Sequence, residues 1–239
     1  MHRPYGGPVL DRPGATSTTF GDRNTRALAL GAALLLVGVL VAHFLWGNYL
    51  RYGRFDPATY GLLWPRRGLL WMHLAGGSLG MVLGALQFVA PLRRGYPRIH
   101  RWTGRAYLLA MLCACVAAAA LTATTPAGPA VRIAFAATGI AWLCTALPGF
   151  IAIRNGQVQA HQRWMTRAYI VTFAPVLVRL GVASPTVMAL ATPDVMVPLV
   201  IWMSWALPLL VYESVAALVR AAKSRQVPHR MHPSRSPWA

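Results

Sequence analysis

Six long, predominantly apolar runs limit what this chain can fold into more than any other feature. A helix needs roughly 20 apolar residues to cross a bilayer, and only helices or closed barrels satisfy their backbone polar groups there. Apolar residues make up 56% of the chain and charged residues 12%, too few charges to cover a soluble surface. We therefore predict an all-α, polytopic membrane protein with six transmembrane helices. The predicted spans are residues 27–47, 69–91, 104–125, 131–153, 165–184 and 196–219.

Polar segments flank this predicted transmembrane domain of residues 27–219. Residues 1–26 predict a flexible cytoplasmic tail, and residues 220–239 predict a basic cytoplasmic tail. The chain carries 23 Lys and Arg against 5 Asp and Glu, a net charge of +18. Most positive charges fall in the tails and in the loops after spans two and four, which predicts that both termini are cytoplasmic. We expect anionic phospholipids as partners and no nucleic acid, since no basic surface segment of the soluble type exists.

Two arginine-rich segments predict an internal repeat. Residues 93–107 and 154–169 both begin Arg-x-Gly-x-x-x-x-His and both end Arg-Trp-x-x-Arg-Ala-Tyr. The second segment has one inserted residue, Gln162, so the offset between them grows from 61 at the His to 62 at the Tyr. Each segment follows a span of the same direction. Spans two and three thus correspond to spans four and five, as a tandem parallel two-helix repeat.

Histidines are the candidate cofactor-binding residues. His100 and His161 hold equivalent positions at loop ends, where they could bind a b-type haem, hold a divalent metal or carry protons. The simpler alternative is an interfacial His that caps a helix or meets a lipid phosphate. His73 lies inside span two on a glycine stripe, which could admit a flat cofactor ring or a close helix contact. His43, near the end of span one, lies at a similar depth. No separate metal site is assigned.

Two arginine pairs form a candidate site for an anion or a lipid head group. Arg101 with Arg105, and Arg163 with Arg167, are spaced i, i+4, which puts both guanidinium groups on one helix face. Such pairs could clamp a phosphate or carboxylate. The alternative is that they only set topology and anchor the chain to phospholipid.

Two charged residues inside the spans are candidates for an ion pair or a proton relay. Glu213 is the only acidic residue well inside a predicted span, where a carboxylate is neutral or paired with a cation. Arg105 and Arg167 begin helices at a comparable depth and are its natural partners. Arg179, in the outer part of span five, is the complementary charge.

These motifs resemble a known family. His73 at the head of a Gly-rich span, the strings at 99–107 and 160–169, and the later Arg179 are similar to a bacterial family of predicted membrane proteins, domain of unknown function twenty-three-oh-six. The resemblance covers about residues 69–215 and implies a helical protein of the bacterial inner membrane, with no established activity. A second likeness, through His-Arg-x-x-Gly-Arg at 100–105, is to cytochrome b561-type haem proteins and implies haem.

Three classes of function are compatible with these residues. The first is a haem-binding or redox membrane protein that uses intramembrane His. The second is a transporter or a lipid- or anion-handling protein that uses the arginine pairs. The third is a non-catalytic accessory or assembly subunit, with a protein partner or a second copy. The sequence does not establish whether the chain is an enzyme.

Overall fold

A computed structural model describes the backbone of residues 18–225 and gives side-chain surroundings continuously for residues 35–224. Most of the two predicted tails lies outside the described residues. Within that part, the first helix begins at Thr18 and the last ends at Arg225, so both extend beyond the predicted spans. Residues up to His43 form one unit, and residues from Phe44 onward form a second. The second unit contains all the helices from Pro57 onward.

Every regular element in residues 18–225 is helical. A 3₁₀ segment, Gly61–Arg66, links the second and third α-helices. The α-helices are α1 (Thr18–Tyr52), α2 (Pro57–Tyr60), α3 (Arg67–Gln87), α4 (Ala90–Gly95), α5 (Pro97–Thr124), α6 (Pro129–Arg154), α7 (Val158–Thr172), α8 (Ala174–Ala183), α9 (Pro185–Met188) and α10 (Pro193–Arg225).

Five helical stretches in the described part are long and apolar enough to cross a membrane. They correspond to predicted spans two to six, so the chain is a multi-pass helical membrane protein. The first predicted span, 27–47, falls in α1, where several side chains lie outside the described residues, and it stays a prediction. The five stretches are Pro57–Gln87, Pro97–Thr124, Pro129–Arg154, Val158–Ala183 and Pro193–Ser224.

Proline determines where several of these helices begin and break. Pro97, Pro129 and Pro193 each occupy the first position of a helix, where the missing N–H costs nothing. Pro175 divides predicted span five into α7 and α8, with Phe173 between them, because its ring cannot join the helical hydrogen-bond ladder.

Two helices begin earlier than predicted, and this changes the setting of the candidate residues. Helix α5 starts at Pro97 rather than at residue 104, and α7 starts at Val158 rather than at residue 165. His100 and His161 therefore lie on helices, in the first or second turn, and not in loops.

The bundle is built on two helix pairs, α3 with α5 and α6 with α7, and α10 packs on α6, α7 and α8. Small residues allow the close approach: a Cβ added at Gly76 would lie 2.6 Å from the Ala110 carbonyl oxygen. At the other end of α3, Gln87 Nε2 donates to Thr103 Oγ1 at 2.8 Å. We call this end, which carries the α3–α5 and α6–α7 connections, the arginine-rich end.

Candidate functional site

His100 has an unsatisfied ring nitrogen at the arginine-rich end. Its Nδ1 is buried and has no hydrogen-bond partner among the described residues. The charged or titratable groups acting on it are Arg93, His161 and Arg101, and all of them are cations or nitrogen bases. A buried polar atom without a partner costs free energy. A negatively charged acceptor at this point would satisfy the imidazole and neutralise its surroundings.

His161 is oriented by the backbone of α6. Its Nδ1 lies 2.8 Å from the Gly149 carbonyl oxygen. Because a carbonyl only accepts, Nδ1 carries the proton, and Nε2 is left free to accept a hydrogen bond or bind a ligand. The structure thus brings His100 and His161 into one neighbourhood, on α5 and α7.

His73 lies on a different part of the bundle. Its Nδ1 donates to the Ala114 carbonyl oxygen at 3.1 Å, beside the close α3–α5 contact. Ala114 is 14 residues along α5 from His100, about 21 Å at the helical rise. His73 therefore cannot share a ligand atom with His100 or His161. His43 belongs to the other unit, and its predicted role stays a prediction.

Arg167 and Glu213 join α7 to α10 by an ion pair. Arg167 Nε lies 2.5 Å from Glu213 Oε1, and the two side chains are 18% and 41% exposed. The guanidinium group also lies 4.7 Å above the Trp164 ring and 5.6 Å from the Tyr212 ring. Of the two arginines expected as partners of Glu213, the structure places Arg167 beside it.

The remaining candidate arginines are exposed. Arg105 stacks on Trp102 with 5.2 Å between the guanidinium carbon and the ring centre. Arg101 and Arg163 lie one turn earlier on their helices and point to the surface. Within residues 35–224 Arg179 makes no ion pair. The two i, i+4 pairs therefore differ, since only the second has a member already neutralised.

Sequence reasoning missed a buried hydrogen-bond network at the junction of α5, α6 and α7. Tyr107 is 1% exposed, and its hydroxyl lies 3.0 Å from Thr172 Oγ1. Trp142 Nε1 donates to the same Thr172 oxygen at 2.8 Å. The available signal was the tyrosine that ends each arginine-rich motif, because a Tyr that enters a transmembrane core needs a partner for its hydroxyl.

The two motif tyrosines meet at one glycine of α3. A Cβ added at Gly84 would lie 2.7 Å from the Tyr169 ring and 3.1 Å from the Tyr107 ring. The Tyr169 hydroxyl donates to the Met81 carbonyl oxygen at 3.2 Å. Gly84 is thus the point where both helix pairs touch, and a larger residue would separate them.

One groove of the described part lies away from the histidines. A groove of about 590 Å³ lies between α5 and α6, with Arg132 at one end and Cys115 and Gly139 among its small lining residues. No His lines this groove. Within residues 35–224 no three His, Cys, Asp or Glu side chains cluster as a metal site would require.

A known protein family matches the part of the chain that carries these residues. The family model described as "predicted membrane protein (DUF2306)" matches residues 70–216, which include α5, α6, α7 and all the candidate residues except His43. No curated protein and no solved structure matches the chain. Because the match covers more than half of the sequence, the chain belongs to this family of predicted membrane proteins.

Proposed function

We propose that this membrane protein binds an anionic ligand at its arginine-rich end, through His100, Arg101 and His161. The observation that carries the proposal is the buried, unpartnered Nδ1 of His100, whose charged neighbours are all positive or basic. A phosphate or carboxylate oxygen is the partner that such a site lacks. The role belongs to an anion- or lipid-handling protein or a transporter.

The distribution of negative charge supports this assignment. Glu213 lies on Arg167, so Arg167 is already neutralised, whereas no described ion pair involves Arg101. A guanidinium group binds phosphate and carboxylate with two parallel hydrogen bonds. An anion between α5 and α7 would therefore receive hydrogen bonds from Arg101 and His100 on α5, and from His161 on α7 in its imidazolium form, in which both ring nitrogens donate.

We also propose the six-span topology and the tandem repeat. The repeat is supported by the two helix pairs and by the same Trp–Arg stacking at the same spacing, Trp102 with Arg105 and Trp164 with Arg167. With α1 as the first span, the positive-inside rule supports cytoplasmic termini, and we propose the bacterial inner membrane as the location.

A second candidate function is haem binding. His73 and His161 each donate Nδ1–H to a backbone carbonyl, as metal-ligating imidazoles commonly do, so either Nε2 would be free to hold the haem iron. A bound b-type haem would supply one-electron redox chemistry. The ring nitrogens fit this role, although the groove of about 590 Å³ is lined by no His.

The test is a calorimetric titration of the detergent-purified full chain with inorganic phosphate. We expect Arg101→Gln to weaken binding about tenfold, the loss of one hydrogen bond to a charged group. Arg94→Gln removes a charge at the same end that is not among those acting on His100, and it should leave the affinity unchanged. Equal affinities of Arg101→Gln and wild type, or no phosphate binding at all, would contradict the proposal.

An optical spectrum of the same preparation from haem-replete cells tests the second candidate, haem binding, independently of anion binding. A stoichiometric Soret band that sharpens on reduction, and that is lost in His73→Ala or His161→Ala, would support haem. A colourless protein would exclude it.

A further inference from the structure

Helix α5 has one exposed face that begins with an aromatic and a cationic residue and continues as an apolar track. Trp102 is 68% exposed, and Leu109, Leu112 and Val116 are 63%, 51% and 56% exposed. Arg105 is exposed between them. At 100° per residue these five side chains fall within one arc of the helix. This order of groups matches a phospholipid, with a phosphate at the interface and an acyl chain beyond it.

The matching face of α7 and α8 shows which chemical group the Trp–Arg unit binds. Sixty-two positions after the α5 residues come Trp164, Arg167, Val171 and Ala174. Val171 and Ala174 are 2% and 1% exposed, on helices against which α10 packs. Helix α10 also supplies the carboxylate of Glu213, 2.5 Å from Arg167 Nε. The stacked guanidinium group there holds an anionic oxygen and lies above a covered apolar track.

On α5 the same unit has no carboxylate from the described residues. The Arg105 guanidinium carbon lies 5.2 Å from the centre of the Trp102 ring, and no ion pair within residues 35–224 involves Arg105. Within residues 44–224 the α5 face therefore has the cation, the ring and the apolar track but neither an anion nor a covering helix. A lipid supplies both missing parts in one molecule.

We propose that this face of α5 is a binding site for an anionic phospholipid. The lipid phosphate pairs with Arg105 beside Trp102, and one acyl chain lies along Leu109, Leu112 and Val116. Glu213 and α10 take the place of that lipid on the second helix pair. The site is separate from the one at His100, because it lies on the exposed surface of α5 and involves no histidine.

The test counts lipids on the full chain by native mass spectrometry during a titration with dioleoyl phosphatidylglycerol, against phosphatidylcholine as competitor. We expect Arg105→Gln to weaken phosphatidylglycerol binding about fivefold, the value of one arginine at a membrane surface. Arg94→Gln, an exposed arginine without a ring partner at the same end, should leave it unchanged. Leu112→Asn should weaken binding of the dioleoyl lipid and leave binding of the soluble head group, glycerol phosphate, unchanged.

Three results would overturn the proposal. The first is an equal affinity of wild type and Arg105→Gln for phosphatidylglycerol. The second is binding of glycerol phosphate at Arg105 as tight as that of the lipid, which would mean a free anion site. The third is a dimer that forms without lipid and covers the α5 face. Phosphate binding at His100 is measured in a separate titration, and Arg105→Gln should not change it.

Discussion

The two helix pairs carry the same motif, Arg-Trp-x-x-Arg-Ala-Tyr, and surround it differently. In the α6–α7 pair the motif arginine, Arg167, meets Glu213 of α10 and the following residues are covered. In the α3–α5 pair the corresponding Arg105 stacks on an exposed Trp102 and the residues beyond it face outward. The difference comes from α10, which packs on one pair only. A repeated motif thus has one copy with an internal counter-ion and one that has none among the described residues.

The tyrosine of the motif behaves in the opposite way, because both copies point inward. Tyr107 and Tyr169 converge on Gly84, where α3 has no side chain. The shared part of the motif therefore holds the two pairs together, and the charged part distinguishes them. The predictions that follow test how unequal the two pairs are, beginning with the largest effect.

Of the two helix pairs, α3–α5 makes the closer contact. A Cβ at Gly76 would lie 2.6 Å from a backbone oxygen, whereas one at Gly149 in the α6–α7 pair would lie 2.8 Å from the sulfur of Met165. Backbone cannot move aside as a flexible Met can. We expect Gly76→Ala to destabilise the fold by about 3 kcal/mol and Gly149→Ala by about 1 kcal/mol. Denaturant titration in detergent micelles, followed by circular dichroism, measures both.

Gly77→Ala is the matched control for this pair of substitutions. A Cβ at Gly77 meets nothing within 4 Å, so the gain in helix propensity should leave the fold as stable as wild type or slightly more so. If Gly76→Ala were no worse than Gly149→Ala, the two helix pairs would be equally tight and the comparison would fail.

Substitutions of the two motif tyrosines should differ less in their effect on stability. Tyr107 is almost fully buried in a network with Thr172 and Trp142, whereas the Tyr169 hydroxyl has the Met81 carbonyl. We expect Tyr107→Phe to cost about 1 kcal/mol and Tyr169→Phe about 0.5 kcal/mol, within the usual range for one hydrogen bond. The same denaturant titration measures them. An equal cost would mean that the network adds nothing beyond a single bond.

The smallest expected effect is on the N-terminal caps of two short helices that lie away from the arginine-rich end. Asp56 accepts from the backbone N–H and the hydroxyl of Thr59, and these bonds lower the pKa of its carboxyl group below the usual value. The Ser184 cap of α9, bonded to the Val187 amide, carries no titrating group. Because the folded-state pKa is depressed, the Asp56 cap is fully present above the ordinary carboxyl pKa and is lost as the pH falls through the lowered value.

Amide hydrogen exchange checks this difference directly. Protection of the Thr59 amide should fall as the solution is acidified, while protection of the Val187 amide should stay constant. Asp56→Asn keeps an acceptor without the titration and should remove the pH dependence at Thr59. Parallel loss of protection at both amides would show a general acid effect and not a cap.

Much of the fold could be predicted from the sequence because membrane helices are long and uniformly apolar. Predicted spans two to six each coincide with a helix that could cross a membrane. The errors are at helix ends. Pro97 and Val158 begin helices inside segments for which the sequence predicts loops, since arginines on an interfacial helix resemble loop residues. Pro175 divides the fifth predicted span into two helices.

The site was less predictable, because its features depend on which helices touch. The partner of Glu213 could be narrowed to two arginines from charge and depth, but choosing Arg167 required the position of α10. The orphaned nitrogen of His100 and the meeting of two tyrosines at Gly84 are properties of several helices together. No local pattern in one helix encodes them.

The hydrogen bond from Gln87 to Thr103 has a consequence for the charges between them. It ties the end of α3 to the first turns of α5 and so closes a loop that contains α4, Arg93 and His100. Fixing such a loop costs conformational entropy, and here that cost falls on folding. An anion that arrives at His100 meets side chains whose backbone is already ordered, so less of its binding free energy is lost in arranging them.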